Sequence, residues 1–465
     1  MRTALILFLA YSAILVGVSL WASGGLRRGS SGDFLYARGR LSAPLVAVTV
    51  ACTGVGGVAT IGIAEVAYSG GLSAANYNFA WAASSILAGL LFIPRLQRMR
   101  VKTLPEMMEG VFGGAAGRIS LFIQFFLLTT LVAAQYVAGA SILTSLFPEL
   151  FSTDAAMLIC ALLFILITLL GGYRGVSLTN ILNVTVILLG LLFGAALLLI
   201  RSGGLGSLIG RLPADTDWTH PVRGIGLSQF MVWYVTAFFS KLGNQSVIHS
   251  VFSARDNRAA RRGYILAGFL VAPVGPLAAI FGLAARADFP ALADHATALP
   301  MAAAQLNPVI SGLTLVAIFA AVVSTASGTL LSSAALLEPM LSRRSSKPLH
   351  KVALLVIVLM TLFIARFVDG LLDFGMFCAA LLAPYSILMV CVLYAPGLLR
   401  RSTMTVTMGV ALGIQTLWLV PSVAALSPVI YVHIVSAALC ILLCRVLDPR
   451  RVDTEVLFYK DIPQP

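Results

Sequence analysis

Charge is what this chain has least of. Of its 465 residues only 11% are Asp, Glu, Lys or Arg, against roughly 25% in a soluble globular domain. Acids are the scarcer sign, 18 against 31 basic residues, which leaves a net charge of +13. Histidines number five and cysteines six. Cys52, Cys160, Cys378, Cys391, Cys440 and Cys444 all lie inside apolar runs and read as inert core thiols. Cys440 and Cys444 share a helix face, but no His or further Cys joins them. His220, His249, His295, His350 and His433 are scattered at span edges and loops. No Ser-His-Asp set, metal-ligand spacing or phosphate loop is present, which argues against an enzyme. These shortages exclude a soluble enzyme, a disordered tail and a disulfide scaffold. They also argue against nucleic acid as a partner, since no soluble basic domain carries the +13.

What is present is apolar: hydrophobic residues make up 59% of the chain. They fall in long runs, which favours an all-α polytopic membrane protein over the short alternating segments of a β-barrel. A membrane helix needs roughly 20 apolar residues. Thirteen stretches qualify, at about 3–22, 43–67, 73–94, 119–146, 155–171, 177–200, 226–243, 263–285, 308–338, 350–367, 371–395, 403–421 and 427–447. The first is long, has only Arg2 before it and lacks a small-residue cleavage site, so it reads as a retained helix and not a signal peptide. With the N-terminus outside, the loops and tail assigned to the cytoplasm hold 24 of the 31 basic residues. The outer side holds six, and Lys241 stays in a span. This asymmetry sets the expected orientation, N-terminus outside and C-terminus cytoplasmic, and makes the +13 a topology signal. The Ala-, Leu- and Arg-rich composition points to a bacterial inner (plasma) membrane.

Three spans are not plain lipid-facing helices. The second has Gly54, Gly56 and Gly57 near its middle. Glycine weakens a helix interior by about 1 kcal/mol relative to Ala. A break at membrane depth survives only where protein or a wet cavity covers it. Small residues for close helix packing are the other reading. The seventh span stops at Lys241-Leu242-Gly243-Asn244-Gln245 and continues as an amphipathic, basic stretch. Two interrupted spans point to a carrier whose site lies at the breaks, where unwound carbonyls hold a small cation and half-helix N-termini meet an anionic group. The ninth span carries Ser324, Thr325, Ser327, Thr329 and Ser332. Ser324 and Thr325 either satisfy carbonyls of their own helix or offer two neutral oxygens to a hard monovalent cation. Ionisable residues inside spans are costly and usually functional, which singles out Glu65 and Lys241. Lys241 can also snorkel to the membrane edge, and Glu65 can also sit near the outer surface, because Tyr68-Ser69-Gly70-Gly71 follows it.

Several short motifs occur in a recognisable order. Ser31-Gly32-Asp33-Phe34 through Gly39-Arg40 resembles an SxxDFxxAGR segment, and Lys102-Thr103-Leu104-Pro105-Glu106 a cytoplasmic TLPE motif. Gly171-Gly172-Tyr173-Arg174-Gly175-Val176 resembles a GGxxAV turn. Asn244-Gln245, Ala254-Arg255-Asp256 and Ala260-Arg261-Arg262-Gly263 resemble an NQ…AAKD…ARxG stretch. Ala320-Ala321-Val322-Val323-Ser324-Thr325 resembles an AAxxST motif. Together, over nearly the whole chain, these parts resemble the sodium:solute symporter family of sodium/glucose, sodium/proline and sodium/sialic acid carriers. The resemblance implies a LeuT-type core of two inverted five-helix repeats, at 43–200 and 226–396. An extra helix and cytoplasmic loop (1–42) would precede it, and two extra helices with a cytoplasmic tail (397–465) would follow. It implies a sodium ion, Na+, held by backbone carbonyls of Cys52, Val55 and Ala321 and by hydroxyls of Ser324 and Thr325. It places Asn78, flanked by Tyr77 and Trp81, where the sugar carriers of the family keep a substrate-binding acid. On the sixth core helix Ala237 and Ser240 replace sugar contacts, with Lys241 beside them.

The departures from the family pattern remove acids and bases. The Asp of its TDxxQ motif is Asn180, and an acid that some members carry at the first break is Gly54. His249-Ser250 stands where many members have QR, and the Arg after TLPE is replaced in Glu109-Gly110-Val111-Phe112-Gly113. The expected activity is symport of a small organic solute with sodium into the cell, by alternating access in the lipid bilayer. Loss of the sugar contacts, together with Lys241, favours a small carboxylate, such as an organic or amino acid; a zwitterion would suit if Glu65 also reached the cavity. Two other readings stay open, a transporter-like membrane sensor that needs an output partner, and an uncoupled or proton-coupled carrier.

Overall fold

The computed structural model describes residues 2–23, 34, 41–99, 101, 103–147, 149–214, 216–341, 347–368, 371–424, 428–454 and 457. The motif residues Ser31, Gly32, Asp33, Gly39, Arg40 and Lys102 lie outside that set. So do Arg27, Arg28, Arg38, Arg100, Arg343, Arg344 and Lys460 of the charge count. Among the described residues the secondary structure is helical, and the extended pairings are two isolated bridges, Leu41 with Ala254 and Arg400 with Arg451.

Helix α1 (Arg2–Ser23) comes first. Helices α2 (Ala43–Gly54) and α3 (Ile63–Gly70) are two halves of an interrupted line, joined through Val55-Gly56-Gly57 and a π-helical turn, Val58–Gly62. Helix α4 (Asn76–Leu91) follows. Helix α5 (Leu104–Phe112) explains the TLPE motif: Thr103 Oγ1 accepts the Glu106 N–H at 3.3 Å and Pro105 sits in the first turn. That is an N-terminal cap, with Pro where no partner for its nitrogen is needed. Helix α6 (Gly114–Leu146) packs on α5. Helix α7 (Thr153–Arg201) runs 49 residues and bends at Gly172, whose φ is 54°. A Cβ there would lie 2.9 Å from Phe34, so the GGxxAV turn needs a residue without one.

The second interrupted line is α8 (Gly226–Gly243) and α9 (Gln245–Ser253), broken at Asn244 with φ −96° and ψ 119°. Helix α10 (Asn257–Val271) starts at Asp256, whose carboxylate accepts the Ala259 N–H at 2.6 Å. That bond holds the Asp256 carboxyl below the usual range. Helix α11 (Val274–Asp288) continues past Pro273. Helices α12 (Pro308–Leu341), α13 (Lys347–Ala365), α14 (Leu371–Ala380), α15 (Leu382–Tyr394), α16 (Thr403–Leu417) and α17 (Val429–Leu447) complete the order.

Among the described residues eight helices are long and apolar enough to cross a membrane, against the thirteen expected spans. The difference has physical causes. The fifth and sixth spans merge across the Gly172 bend into α7. The second span is split at its glycines, and its far half runs on into α4 within Val58–Leu91. Ala43–Gly54, Lys351–Ala365 and Thr403–Leu417 are apolar but shorter, and α8, at 18 residues, is made less apolar by Gln229, Lys241 and its small polar residues.

Helix α12 is the centre of the packing, against α7, α6 and α1, and every residue from Thr314 to Leu336 is buried. Lipid is as apolar as Leu, so close packing of small residues, not exclusion from water, holds such helices together. A Cβ on Gly194 of α7 would lie 2.5 Å from Thr314 Oγ1 of α12, which shows how near the two backbones run. The periphery is the reverse, with Trp21, Phe363 and Leu439 more than half exposed, a surface suited to hydrocarbon.

Candidate functional site

The first break is built by glycine. Helix α2 ends at Gly54, and Val55 leaves the helix at φ −111°, ψ 78°. A Cβ on Gly56 would lie 2.8 Å from Thr325 Oγ1 and 2.9 Å from Gln135 Oε1. Only a bare backbone lets α2 approach both α12 and α6 this closely. The last carbonyls of a helix lack helical partners, so the end of α2 presents oxygens to its surroundings. Helix α12 presents hydroxyls to them. Thr325 Oγ1 donates to Cys52 O at 2.6 Å, and Ser324 Oγ donates to Ala321 O at 2.9 Å. Thr325 and Cys52 therefore meet across two helices, with Ser324, Ala321 and Val55 adjacent along the chain. The donor set is all oxygen and all neutral. Among the described residues no group of three or more His, Cys, Asp or Glu gathers anywhere. Such a set fits a hard, weakly held monovalent ion and not a transition metal.

The second break is closed by amides. Asn244 Oδ1 accepts the Ser246 N–H at 2.8 Å. Gln124 Nε2 donates to Gly243 O at 2.5 Å, and the same side chain's Oε1 accepts the Gln245 N–H at 3.0 Å. One glutamine of α6 thus serves both broken ends. Gln135, eleven residues and about three turns further along α6, lies on the same face. Its Oε1 accepts the Gly57 N–H at 3.0 Å. Sequence reasoning missed both glutamines. The available signal was two amides in the otherwise apolar 119–146 run.

Between the breaks lies a cavity of about 60 Å³, lined among others by Gly54, Gly56, Thr325, Tyr77, Trp81, Ser240 and Asn244. It has room for a few waters. Of the expected solute residues, Tyr77, Trp81 and Ser240 are in its wall. Tyr77 is braced by Trp233, with ring centroids 5.7 Å apart at a near-perpendicular angle. Lys241 does not snorkel. It is fully buried, its Nζ lies 4.5 Å from the Trp81 ring centroid, and it finds no hydrogen-bond acceptor among the described residues.

Three expected residues, Lys241, Asn78 and Glu65, are not in the wall. Asn78 turns toward α11, where a Cβ on Gly275 would lie 2.9 Å from its own Cβ. Both atoms of its amide are buried without a partner among the described residues. Glu65 is half-buried on α3 and does not line the cavity. It stands six residues beyond Ala59, the nearest wall residue on that line, or about 9 Å along a helix. Asn180, which replaces the family Asp, joins a neutral network. Tyr11 donates to Asn183 Oδ1, Asn183 Nδ2 to Asn180 Oδ1 at 3.2 Å, and Cys52 Sγ to the Asn180 carbonyl at 3.7 Å.

Two discontinuous helices facing one central cavity define a carrier of the LeuT-fold class. A profile of the sodium:solute symporter family matches residues 34–395. The chain belongs to that family, whose activity is sodium-coupled secondary transport. It is 25% identical over 366 residues to a sodium/glucose cotransporter of Vibrio parahaemolyticus, covering 71% of this chain and 67% of that one. It is 26% identical over 344 residues to the sodium/proline symporter of Escherichia coli strain K12, covering 69% of this chain and 66% of that one. The chain therefore spans about two thirds of the length of these relatives. Its fold matches the substrate-bound, outward-open state of a Na+-coupled sialic acid symporter with a TM-score of 0.82 at 17% identity, over 97% of this chain and 99% of that one.

Proposed function

We propose that this protein moves a small organic solute into the cell together with sodium, through alternating exposure of the cavity between its two helix breaks. The observation that carries this reading is the meeting of Thr325 Oγ1 with the Cys52 carbonyl at 2.6 Å, at the edge of a cavity that also touches Tyr77 and Trp81. Sodium would be held by the carbonyls of Cys52, Val55 and Ala321 and the hydroxyls of Ser324 and Thr325. Their present hydrogen bonds to carbonyls would turn away as the ion takes those oxygens. The ion would then tie α12 to the end of α2. A ligand shifts a conformational balance only by its differential affinity for the two states, and a seat made from two separate helices supplies that difference. A four-helix bundle that takes helices from both repeats, with α2 packed on α10 and α4 on α8 and α10, is proposed to rock against the remaining scaffold; the repeats span 43–200 and 226–396, flanked by 1–42 and 397–465. The proposed setting is a bacterial plasma membrane, N-terminus outside and C-terminus in the cytoplasm.

The test needs no known solute. Thermal stability of the purified protein is followed against sodium, with choline and potassium at equal ionic strength. A ligand of the native state adds RT ln(1+[L]/Kd), about 2.7 kcal/mol at a hundred times Kd. Sodium alone should stabilise the protein, and the Ser324→Ala/Thr325→Ala variant should lose the effect. An equal response to potassium, or an undiminished one in the variant, would remove this reading.

A further inference from the structure

Resting on the carrier reading above, we infer that the solute is a small monocarboxylate without an ammonium group, its carboxylate seated between Lys241 Nζ and the bare backbone of Gly54. Lys241 is fully buried and its Nζ finds no acceptor among the described residues. Among the described residues its cation meets the Trp81 face, 4.5 Å away. A cation–π contact is worth about 2 kcal/mol when desolvated, whereas an unpaired buried ion costs several. An anion is the missing partner.

The place for it is set by a residue with no side chain. A Cβ on Gly54 would lie 3.7 Å from Lys241 Nζ and 3.4 Å from Trp81 Cε3, both ordinary contact distances. The space in front of Gly54 therefore lies over Trp81 and within reach of the ammonium, and Gly54 and Trp81 both line the cavity. Two further residues of α8, Thr236 and Ser240, line the cavity. Their hydroxyls are buried without partners among the described residues. They stand one helical turn apart, so they share a face with each other. One ammonium and two hydroxyls match a carboxylate, with one donor to spare for a neighbouring hydroxyl or keto oxygen.

The same wall argues against an amino acid. Among the described residues no Asp or Glu lines the cavity, so an α-ammonium would meet no counter-charge and would face the Lys241 cation. Val58, Leu131, Met376 and Leu382 give the wall an apolar part, which suits a short hydrocarbon chain. Glycine at position 54 is then a specificity residue, since any side chain there would occupy the carboxylate's seat.

The experiment uses the full-length protein in saturating sodium, with propionate, lactate, propionamide and alanine as probes, read by thermal shift and by uptake into proteoliposomes under a sodium gradient. Propionate or lactate should stabilise the protein and be taken up, while propionamide and alanine should not. Lys241→Gln should weaken the carboxylate response by about tenfold or more, the loss of one charged hydrogen bond, and keep the sodium shift. Gly54→Asp, which puts a fixed carboxylate beside the lysine, should abolish the carboxylate response. Alanine binding as tightly as propionate, an unchanged Lys241→Gln response, or no response to either carboxylate while sodium still stabilises the protein would each overturn this inference alone. Absence of the sodium shift in the parent protein would instead overturn the carrier reading beneath it.

Discussion

The two helix breaks solve the same problem in opposite ways. Each interrupts a membrane helix and frees backbone groups that hydrocarbon cannot satisfy. At Asn244 the repair comes largely from amide side chains. Gln124 takes the Gly243 carbonyl and the Gln245 N–H, Asn244 caps Ser246, and Ser386 Oγ donates to Phe239 O at 2.6 Å. At Val55-Gly56 the carbonyls are repaired mainly by hydroxyls, with Thr60 Oγ1 donating to Gly56 O at 3.0 Å. Gln135 takes one N–H, from Gly57, and Thr325 lends a hydroxyl to Cys52 O. A hydroxyl is a replaceable donor, because it can rotate and offer its oxygen to a cation. The contrast teaches where an ion can enter: at the break whose oxygens are held by a rotor and not by a planar amide. Both breaks hang on one face of α6, so that helix sets their separation.

The largest effect expected from this contrast is at the closed break. Gln124→Leu keeps the side-chain volume and removes both of its bonds. The Gly243 carbonyl and the Gln245 N–H would be buried without partners, at about 1–3 kcal/mol each. The thermal midpoint should fall by a margin matching about 3 kcal/mol, equally with and without sodium. A fall no larger than that of the corresponding Gln135 variant would mean that the two breaks are not held differently.

At the open break the change should be smaller in stability and larger in ion response. Gln135→Leu orphans one N–H, worth about 1–2 kcal/mol. Its Oε1 also lies against the Gly56 backbone beside Thr325, so the carbonyls there should lose their fixed aim. The sodium concentration giving half-maximal stabilisation should rise several-fold. A variant that is less stable but titrates sodium as the parent does would reduce Gln135 to a structural role.

Apolar runs made the helices legible in the sequence, because lipid demands them, and a glycine cluster at membrane depth marked the first break for the same reason. The family motifs turned out to be local devices: Thr103 and Asp256 are helix caps and Gly172 is a bend. What could not be read was facing. Asn78 and Tyr77 are neighbours on α4, yet Tyr77 meets the cavity and Asn78 meets Gly275, because about 100° of helix rotation separates them. Lys241 at the end of an apolar run read equally as a snorkelling residue. Its burial depends on Trp81, which is distant in sequence and close only once α4 packs on α8. Gln124 and Gln135 were invisible for the same reason, since their partners lie on other helices. The expected spans and the long helices differ in number where a bend joins two runs, as at Gly172, or a break divides one, as at Val55-Gly56.

The smallest effect separates capping from ion binding at the closed break. Asn244→Ala removes the bond to the Ser246 N–H, and loss of such a cap costs about 1 kcal/mol. Asn244→Ser should restore most of it, because a Ser hydroxyl accepts the same bond. Neither change should move the sodium titration, since the Gln124 bonds still close both ends of the break and the cation oxygens belong to α2 and α12. A sodium midpoint that shifts in Asn244→Ala and returns in Asn244→Ser would show that the two breaks are coupled through the cavity they share, and that the ion is held by more than the open one.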